Sequence, residues 1–234
     1  MYTELELGQV QSTLRTLQHR IREVFPESGL SHVAAELCTI ADETGPVLEK
    51  LSHPNWIVRT FVGVAVGLIL LVVVGLFAVM GSMSLGVDGL GGMLEASESA
   101  AQDLIFIGIA IYFLVTIEGR LKRRIALRDL RRLRAIVHIV DMHQLTKDPE
   151  HLLASSDRTP SSPEQQLTRF ELSRYLDYCS ELLSLSSKLA ATHAQCMNDP
   201  VVLDAVNDIE ILASNLSNKI WQKIMILDTI SGLE

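Results

Sequence analysis

The chain has 234 residues, 48% of them hydrophobic, and carries 28 Asp and Glu against 20 Lys and Arg, a formal net charge of −8. Residues 141–234 carry fourteen acids against seven Lys and Arg, which argues against nucleic acid as the main ligand of the C-terminal part. The three cysteines, Cys38, Cys179 and Cys196, have no CxxC spacing, which excludes a disulfide framework and a zinc site and suits a reducing cytosol.

Residues 1–55 are predicted to form two cytoplasmic helices. In the first, apolar residues recur at helical spacing until Pro26 and Gly29 break the pattern; they are Val10, Leu14, Leu17, Ile21 and Val24. The second is expected to open at Ser31 and to close at Gly45–Pro46. Its apolar positions are Val33, Leu37, Ile40 and Ala41.

The run from Phe61 to Met80 contains no charge, Asn, Gln or His. As a helix rising about 1.5 Å per residue it spans roughly 30 Å, the thickness of a bilayer's hydrocarbon core. It starts far past the position of a cleavable signal peptide. We therefore predict a first transmembrane helix over residues 56–80, with Trp56 and Arg59 near the inner interface.

Residues 81–103 are rich in glycine and acids and contain no Lys or Arg, so we expect a short acidic loop outside the membrane. The apolar run Leu104–Ile117 is roughly 21 Å long as a helix, which is short for a span. A helix that begins near Ser99 would lengthen it. This gives a second transmembrane helix over 99–118, with a re-entrant or buried helix as the alternative.

A block of eight basic residues follows the second apolar run. Its members are Arg120, Lys122, Arg123, Arg124, Arg128, Arg131, Arg132 and Arg134. By the positive-inside rule the block holds both termini in the cytoplasm, in a plasma (inner) membrane of the bacterial type. The charges can serve this topogenic role alone, or also bind anionic lipid headgroups at about 1 kcal/mol for each Lys or Arg near the surface.

A juxtamembrane helix is predicted over 119–148, because apolar residues continue at steps of three and four among the arginines. These are Ala126, Leu130, Leu133, Val137 and Val140. A linker over 149–162 follows. Residues 163–234 are predicted to form an antiparallel helical hairpin of the coiled-coil or bundle type.

The first hairpin helix is expected to start at Ser162–Pro163, where Gln165 completes a capping box. Its apolar stripe is Tyr178, Leu182, Leu185 and Leu189. After a break at 198–200, the last helix has a heptad seam in which Lys223 is the exception: Val202, Val206, Ile209, Ala213, Leu216, Ile220, Leu227 and Ile230. Because no segment alternates with a period of two, the chain is assigned to the all-α class.

Three glycines in the first span, Gly63, Gly67 and Gly75, present small residues on a membrane helix. Gly63 and Gly67 form a GxxxG pair, which lets two helix backbones approach closely. The partner is either the second span of the same chain, where Gly108 is also small, or a second copy.

Few residues indicate chemistry. Of His138, Asp141 and His143, only the first two share a helix face, and no zinc-site spacing occurs, so no metal is predicted. No P-loop, nucleophile elbow, metalloprotease or dinucleotide motif is present. No catalytic residue and no cofactor are therefore assigned.

Arg132 and His138, in RLRAIVH, have the Arg-x5-His spacing and in this respect resemble the HEPN ribonuclease family, which has a helical fold. The resemblance implies a membrane-tethered nuclease with these two residues at its site. The chain departs from the family's pattern at Leu133, where the motif favours a polar residue.

These features favour a membrane-anchored helical scaffold or interaction protein. More apolar helix stripes are present than one chain can comfortably bury, so we expect a homo-oligomer, with a cytoplasmic protein partner as a further possibility. One alternative is an oligomeric pore or ion channel with Glu95, Glu98 and Asp103 at its mouth. The other is the HEPN-like nuclease.

Overall fold

The computed structural model describes residues 5–83, 90–147, 149 and 167–231. Within these ranges all regular structure is helical: α1 (Leu7–Val24), α2 (Gly29–Ser52), α3 (Trp56–Met83), α4 (Leu90–Leu145), α5 (Arg169–Cys196) and α6 (Pro200–Ser231). The predicted all-helical class is confirmed. The predicted linker over 149–162 lies outside the described residues apart from Pro149.

The chain divides into two compact units. The first, named the bundle, comprises Met1–Ser52 and Arg123–Glu234, and so contains α1, α2, the C-terminal part of α4, α5 and α6. The second, named the apolar unit, comprises His53–Lys122 and contains α3 and the N-terminal part of α4. α4 continues without interruption through the basic block to Leu145, as the apolar steps in this segment predict.

In the bundle, α2 runs antiparallel to α4. Its start at Gly29 lies against His143, whereas Thr44, closer to its end, contacts Asp129. A Cβ atom added at Gly29 would lie only 2.2 Å from Cε1 of His143. A side chain at this position would therefore displace the imidazole ring of His143, which packs on the backbone of α2.

The apolar positions predicted for α1, α2 and α4 pack with α5 and α6 into one core. They are buried except for Val24, the last residue of α1, which is 43% exposed. Phe25 is buried in its place and packs edge to face on Tyr175, with ring centroids 5.4 Å apart. Because the helix ends at Val24, helical spacing no longer decides which side chain faces the core.

The predicted end of the second helix at Gly45–Pro46 is wrong, since α2 continues to Ser52. Proline in a helix interior removes a backbone donor and costs about 3 kcal/mol. Leu48 and Leu51, on the far side of the proline, are buried in the core. The packing of these two leucines offsets the cost of the proline in the helix.

Local capping sets two helix starts that differ from the predicted ones. α2 begins after Ser28, whose hydroxyl accepts from the N–H of Ser31 at 3.2 Å. α5 begins after Thr168, which forms a capping box with Glu171. The predicted start over 162–165 lies outside the described residues. Both stretches fit the S/T-x-x-E/Q pattern, and the pattern alone does not rank them.

The predicted loop over 81–103 is too long, because α3 ends at Met83 and α4 already begins at Leu90. Glycine content indicated a loop, but the stretch MLEASESAAQ is dominated by Met, Leu, Ala and Glu, which favour helix. The side chains of Glu95 and Glu98, predicted at a pore mouth, lie outside those that the structure describes.

α5 and α6 pack as an antiparallel pair, in which the guanidinium of Arg169 donates to the carbonyl of Leu227. The seam predicted for α6 is buried as far as Leu227: Val202, Val206, Ile209, Ala213, Leu216, Ile220 and Leu227. The side chain of Ile230, its last predicted member, lies outside those that the structure describes. Between Ile220 and Leu227, Ile224 holds the core position. A straight helix of 3.6 residues per turn drifts past a 3.5-residue repeat, which moves the seam from position 223 to 224.

Lys223, the exception in the heptad, lies beside this seam. Its Nζ donates to the carbonyls of Gln144 (3.0 Å) and Lys147 (3.4 Å), at the C-terminal end of α4. A cation at this position complements the negative end of the helix dipole and bonds carbonyls that the helix leaves without partners. The polar residue therefore has a structural role that the heptad pattern does not show.

Candidate functional site

The apolar unit leaves its apolar side chains uncovered. Two helices of the described chain are long and apolar enough to cross a membrane. In the most apolar stretch of each helix, 0% of the residues are buried. Phe61, Leu71 and Phe106, for example, are 71%, 73% and 62% exposed. The core helix of a water-soluble protein would bury such a surface. This surface has the composition expected for contact with lipid.

Polar contacts join α3 and α4 at one end of the apolar unit. A carboxylate oxygen of Glu118 accepts from the N–H of Asn55 at 3.0 Å, directly before α3. The same carboxylate lies 3.3 Å from Nζ of Lys122 and 3.7 Å from Nε of Arg59. Lys122 also donates to the carbonyl of His53 at 2.8 Å. Glu118 thus caps the start of α3, where a negative charge is favourable. Lys122 has two partners within the protein, Glu118 and the carbonyl of His53.

Two arginines of the basic block link α4 to α6 in the bundle. Nε and Nη2 of Arg123 lie 2.9 and 2.6 Å from Oδ2 of Asp199. The other oxygen of Asp199 accepts from the N–H of Val201 at 3.0 Å, so this carboxylate also caps α6. Further along, Arg134 lies 3.6 Å from Asp208. These two arginines have structural partners in the fold, in addition to any topogenic role.

Arg132 links α4 to α2. It bonds to Glu43 and lies 3.9 Å from both Glu36 and Asp129. The hydrogen bond to Glu43 is the main cause of the raised pKa of Arg132. His138, six positions on, is exposed and lies about 120° away around the helix. The structure therefore does not bring together the Arg132 and His138 that the HEPN resemblance pairs.

The remaining four basic residues are exposed along one face of α4: Arg120, Arg124, Arg128 and Arg131. This face lies opposite the buried positions of the same helix. The guanidinium of Arg120 lies 4.7 Å from the ring centroid of Phe113, a cation–π distance. In the described parts of the chain, Arg124, Arg128 and Arg131 form no ion pair. The predicted basic site therefore divides into four structural and four exposed residues.

The glycines of the first span face open space. A Cβ atom added at Gly63, Gly67, Gly75 or Gly108 would meet nothing within 4 Å. The structure therefore does not place this glycine face in close contact with Gly108 of the second span. The reason is that a single hairpin need not bring its small residues together when neither helix gains contacts from doing so. The face is left available to another helix.

Comparison with family models, curated proteins and solved structures gives no match for this chain. Its function is therefore argued from its own residues.

Asp129 and His193, which sequence patterns did not single out, form a buried polar contact in the bundle. Nε2 of His193 lies 3.2 Å from Oδ2 of Asp129, and their side chains are 0% and 5% exposed. Nδ1 of His193 lies 3.3 Å from the carbonyl oxygen of Leu189. The hydroxyl of Thr44 bonds to the carbonyl of Ile40 at 2.8 Å and lies 3.4 Å from the same Asp129 oxygen.

Both ring nitrogens of His193 point at oxygen atoms, Nε2 at the carboxylate of Asp129 and Nδ1 at the carbonyl of Leu189. The contact joins α4 to α5, and Thr44 adds α2. Because the ring is fully buried, it acts as a positioning contact between helices. A sequence signal existed: Asp129 is the one acid in the basic block and lies three residues after Ala126, on the apolar face.

The described residues of the bundle line cavities of different size. A groove of about 520 Å³ runs between α1 and α5, with Thr13, Ser184 and the opposite charges of Glu181 and Lys188 among its lining. A smaller cavity of about 250 Å³ is lined by residues that include His143 and Tyr175. Burial, and then the charge of Lys147, lower the pKa of His143. In neither cavity do the lining groups form a recognisable catalytic or metal-binding set.

Proposed function

We propose that this chain is a membrane-anchored, self-assembling helical interaction protein, with α3 and the N-terminal part of α4 crossing the bilayer and the bundle on the cytoplasmic side. The observation that carries the proposal is the pair of apolar helices, whose most apolar stretches are 0% buried within the protein. A helix forms its backbone hydrogen bonds internally, so it can enter lipid without leaving polar groups unpaired. Burial in lipid then removes its apolar side chains from water.

The orientation is supported by charge. The exposed arginines begin at Arg120, within one turn of the second apolar run, and Trp56 at the start of α3 is 74% exposed, as for an interfacial tryptophan. The proposal includes contact of Arg120 and Arg124 with anionic lipid headgroups. No Lys or Arg occurs in the segment between the two apolar runs. Both termini are therefore proposed to be cytoplasmic.

Topology is tested by cysteine labelling on intact cells. In a background without native cysteines, Ser97→Cys is expected to react with a membrane-impermeant thiol reagent, whereas Asn218→Cys, on an exposed position of α6, reacts only after lysis. The native Cys179 is no reporter, because burial raises its pKa to about 12. Equal labelling of both positions in sealed cells would disprove the orientation, and release of the protein by alkaline carbonate would disprove membrane integration.

Self-assembly is tested at the glycine face. Gly63→Ile together with Gly67→Ile adds side chains into open space, so the protomer itself is not strained. If a second copy packs there, the bulky side chains hold the helices apart and lower the oligomeric mass in mild detergent. The control, Leu68→Ile, changes an exposed apolar residue without adding volume. An unchanged oligomeric mass for the double variant would show that the copies do not pack through the glycine face.

A further inference from the structure

The geometry points to a self-association surface on the outer faces of α4 and α6, and we propose that its occupant is a second copy of this chain. The inference deepens the proposed function and rests on the membrane anchoring argued above.

Ion pairs show that α4 and α6 run parallel and fix their level. Arg123 pairs with Asp199 near the start of α6, and Arg134 pairs with Asp208 further along. Towards the other end, Lys223 reaches the last carbonyls of α4. The offset between paired residue numbers is 76 for Arg123–Asp199 and 74 for Arg134–Asp208. Residues at equal distances from these pairs therefore lie at equal levels in the bundle.

This alignment of α4 and α6 places Asp204 at about the level of Arg128. Asp204 follows Asp199 by five residues, and Arg128 follows Arg123 by five, about 7.5 Å of helix in each case. Arg131 lies less than one turn further along α4. All three side chains are exposed, and in the described parts of the chain none of them forms an ion pair.

The next level along the same two faces is apolar. Ile211 on α6 is 51% exposed, and Ala135, at the corresponding level of α4, is exposed as well. Opposite charges at one level and apolar side chains at the next form a self-complementary surface when one copy meets another. Such a surface is what a symmetric contact between identical chains requires.

Membrane anchoring selects the symmetry. Copies that share one bilayer and one orientation are related by an axis along the membrane normal, so a contact between them joins residues of equal level. A twofold axis parallel to α4 and α6 brings α4 of one copy against α6 of the other. Arg128 and Arg131 of each copy then face Asp204 of its partner, and the pairing occurs twice.

The bilayer itself is a poor partner for these arginines. Measured along α4, Arg128 and Arg131 lie about 16 and 21 Å beyond Ile117, the end of the apolar run. The headgroup layer adds only about 5–8 Å on each side of the hydrocarbon core, and salt screens charges over about 8 Å. Arg120 and Arg124 are within reach of lipid, whereas Arg128 lies at the limit of this range and Arg131 beyond it.

A charge swap between two tagged copies of the full chain tests the surface in lipid nanodiscs. Copy one carries Arg128→Glu and Arg131→Glu; copy two carries Asp204→Arg. Each copy alone then opposes like charges across the contact, and self-association is expected to weaken at least tenfold. When the two copies are mixed, every opposing pair is of opposite sign, so a mixed dimer should form with near-native affinity.

The control is a chain with Arg22→Glu and Lys50→Glu, which changes the net charge equally at exposed positions of α1 and α2. It should associate normally. Unaltered self-association of copy one, or a mixture that does not associate, would overturn the surface. If self-association of the unchanged chain instead requires anionic lipid, the arginines bind lipid and the proposal is wrong. Retention in the membrane, measured on the same samples, reports on the anchoring alone.

Discussion

Replacement of Leu216 by Asp is expected to unfold the bundle, whereas Asp at Asn218, two residues on, is expected to leave it folded. Leu216 is 3% exposed in the seam of α6, and Asn218 is exposed on its outer side. Burying a carboxylate without a partner costs several kcal/mol. That is a large part of the about 5–15 kcal/mol by which domains are stable.

Cys179 provides the readout. Its thiol is buried in the same core, and burial raises its pKa to about 12, so it reacts slowly with alkylating reagents while the bundle is folded. Leu216→Asp should expose it to rapid alkylation in native buffer, and Asn218→Asp should not. Both variants carry the same change of charge, so a difference reports on burial. Similar alkylation rates for the two would contradict the seam of α6 derived from the heptad pattern.

Helical spacing predicted most of the bundle because burial and periodicity have the same cause. An apolar residue every three or four positions has to face one side, and the only apolar environment available to the bundle is its own core. The predicted apolar positions of α4 from Ala126 to Val140 are buried as this rule requires. So is the seam of α6 as far as Ile220, beyond which the drift of the helix decides.

What the patterns could not supply are the polar contacts, because these depend on pairs that are distant in sequence. Arg123 and Asp199 lie 76 positions apart, and nothing local to either predicts their partner. The basic block therefore looked uniform, although half of it is used inside the protein. Likewise, α2 continues through Pro46 only because Leu48 and Leu51 find a core that other helices build.

Removal of either member of the buried Asp129–His193 contact is expected to destabilise the bundle by about 3–5 kcal/mol, because the other member is left buried without its partner. Asp129→Leu leaves Nε2 of His193 without an acceptor, and His193→Leu leaves the carboxylate facing only Thr44 and the more distant Arg132. Neither side chain can turn to water, since both are almost fully buried.

The double variant distinguishes a specific contact from general sensitivity of this region. When Asp129→Leu and His193→Leu are combined, no polar group is left unpaired at the contact, and apolar residues of similar volume can pack there. Denaturant unfolding, monitored by the alkylation of Cys179, should show that the double variant is more stable than either single variant. The control is Asp42→Ala at the exposed Arg15–Asp42 pair, whose loss should cost less than about 1 kcal/mol. If the two losses at Asp129 and His193 simply add, the residues do not form a coupled contact between α4 and α5.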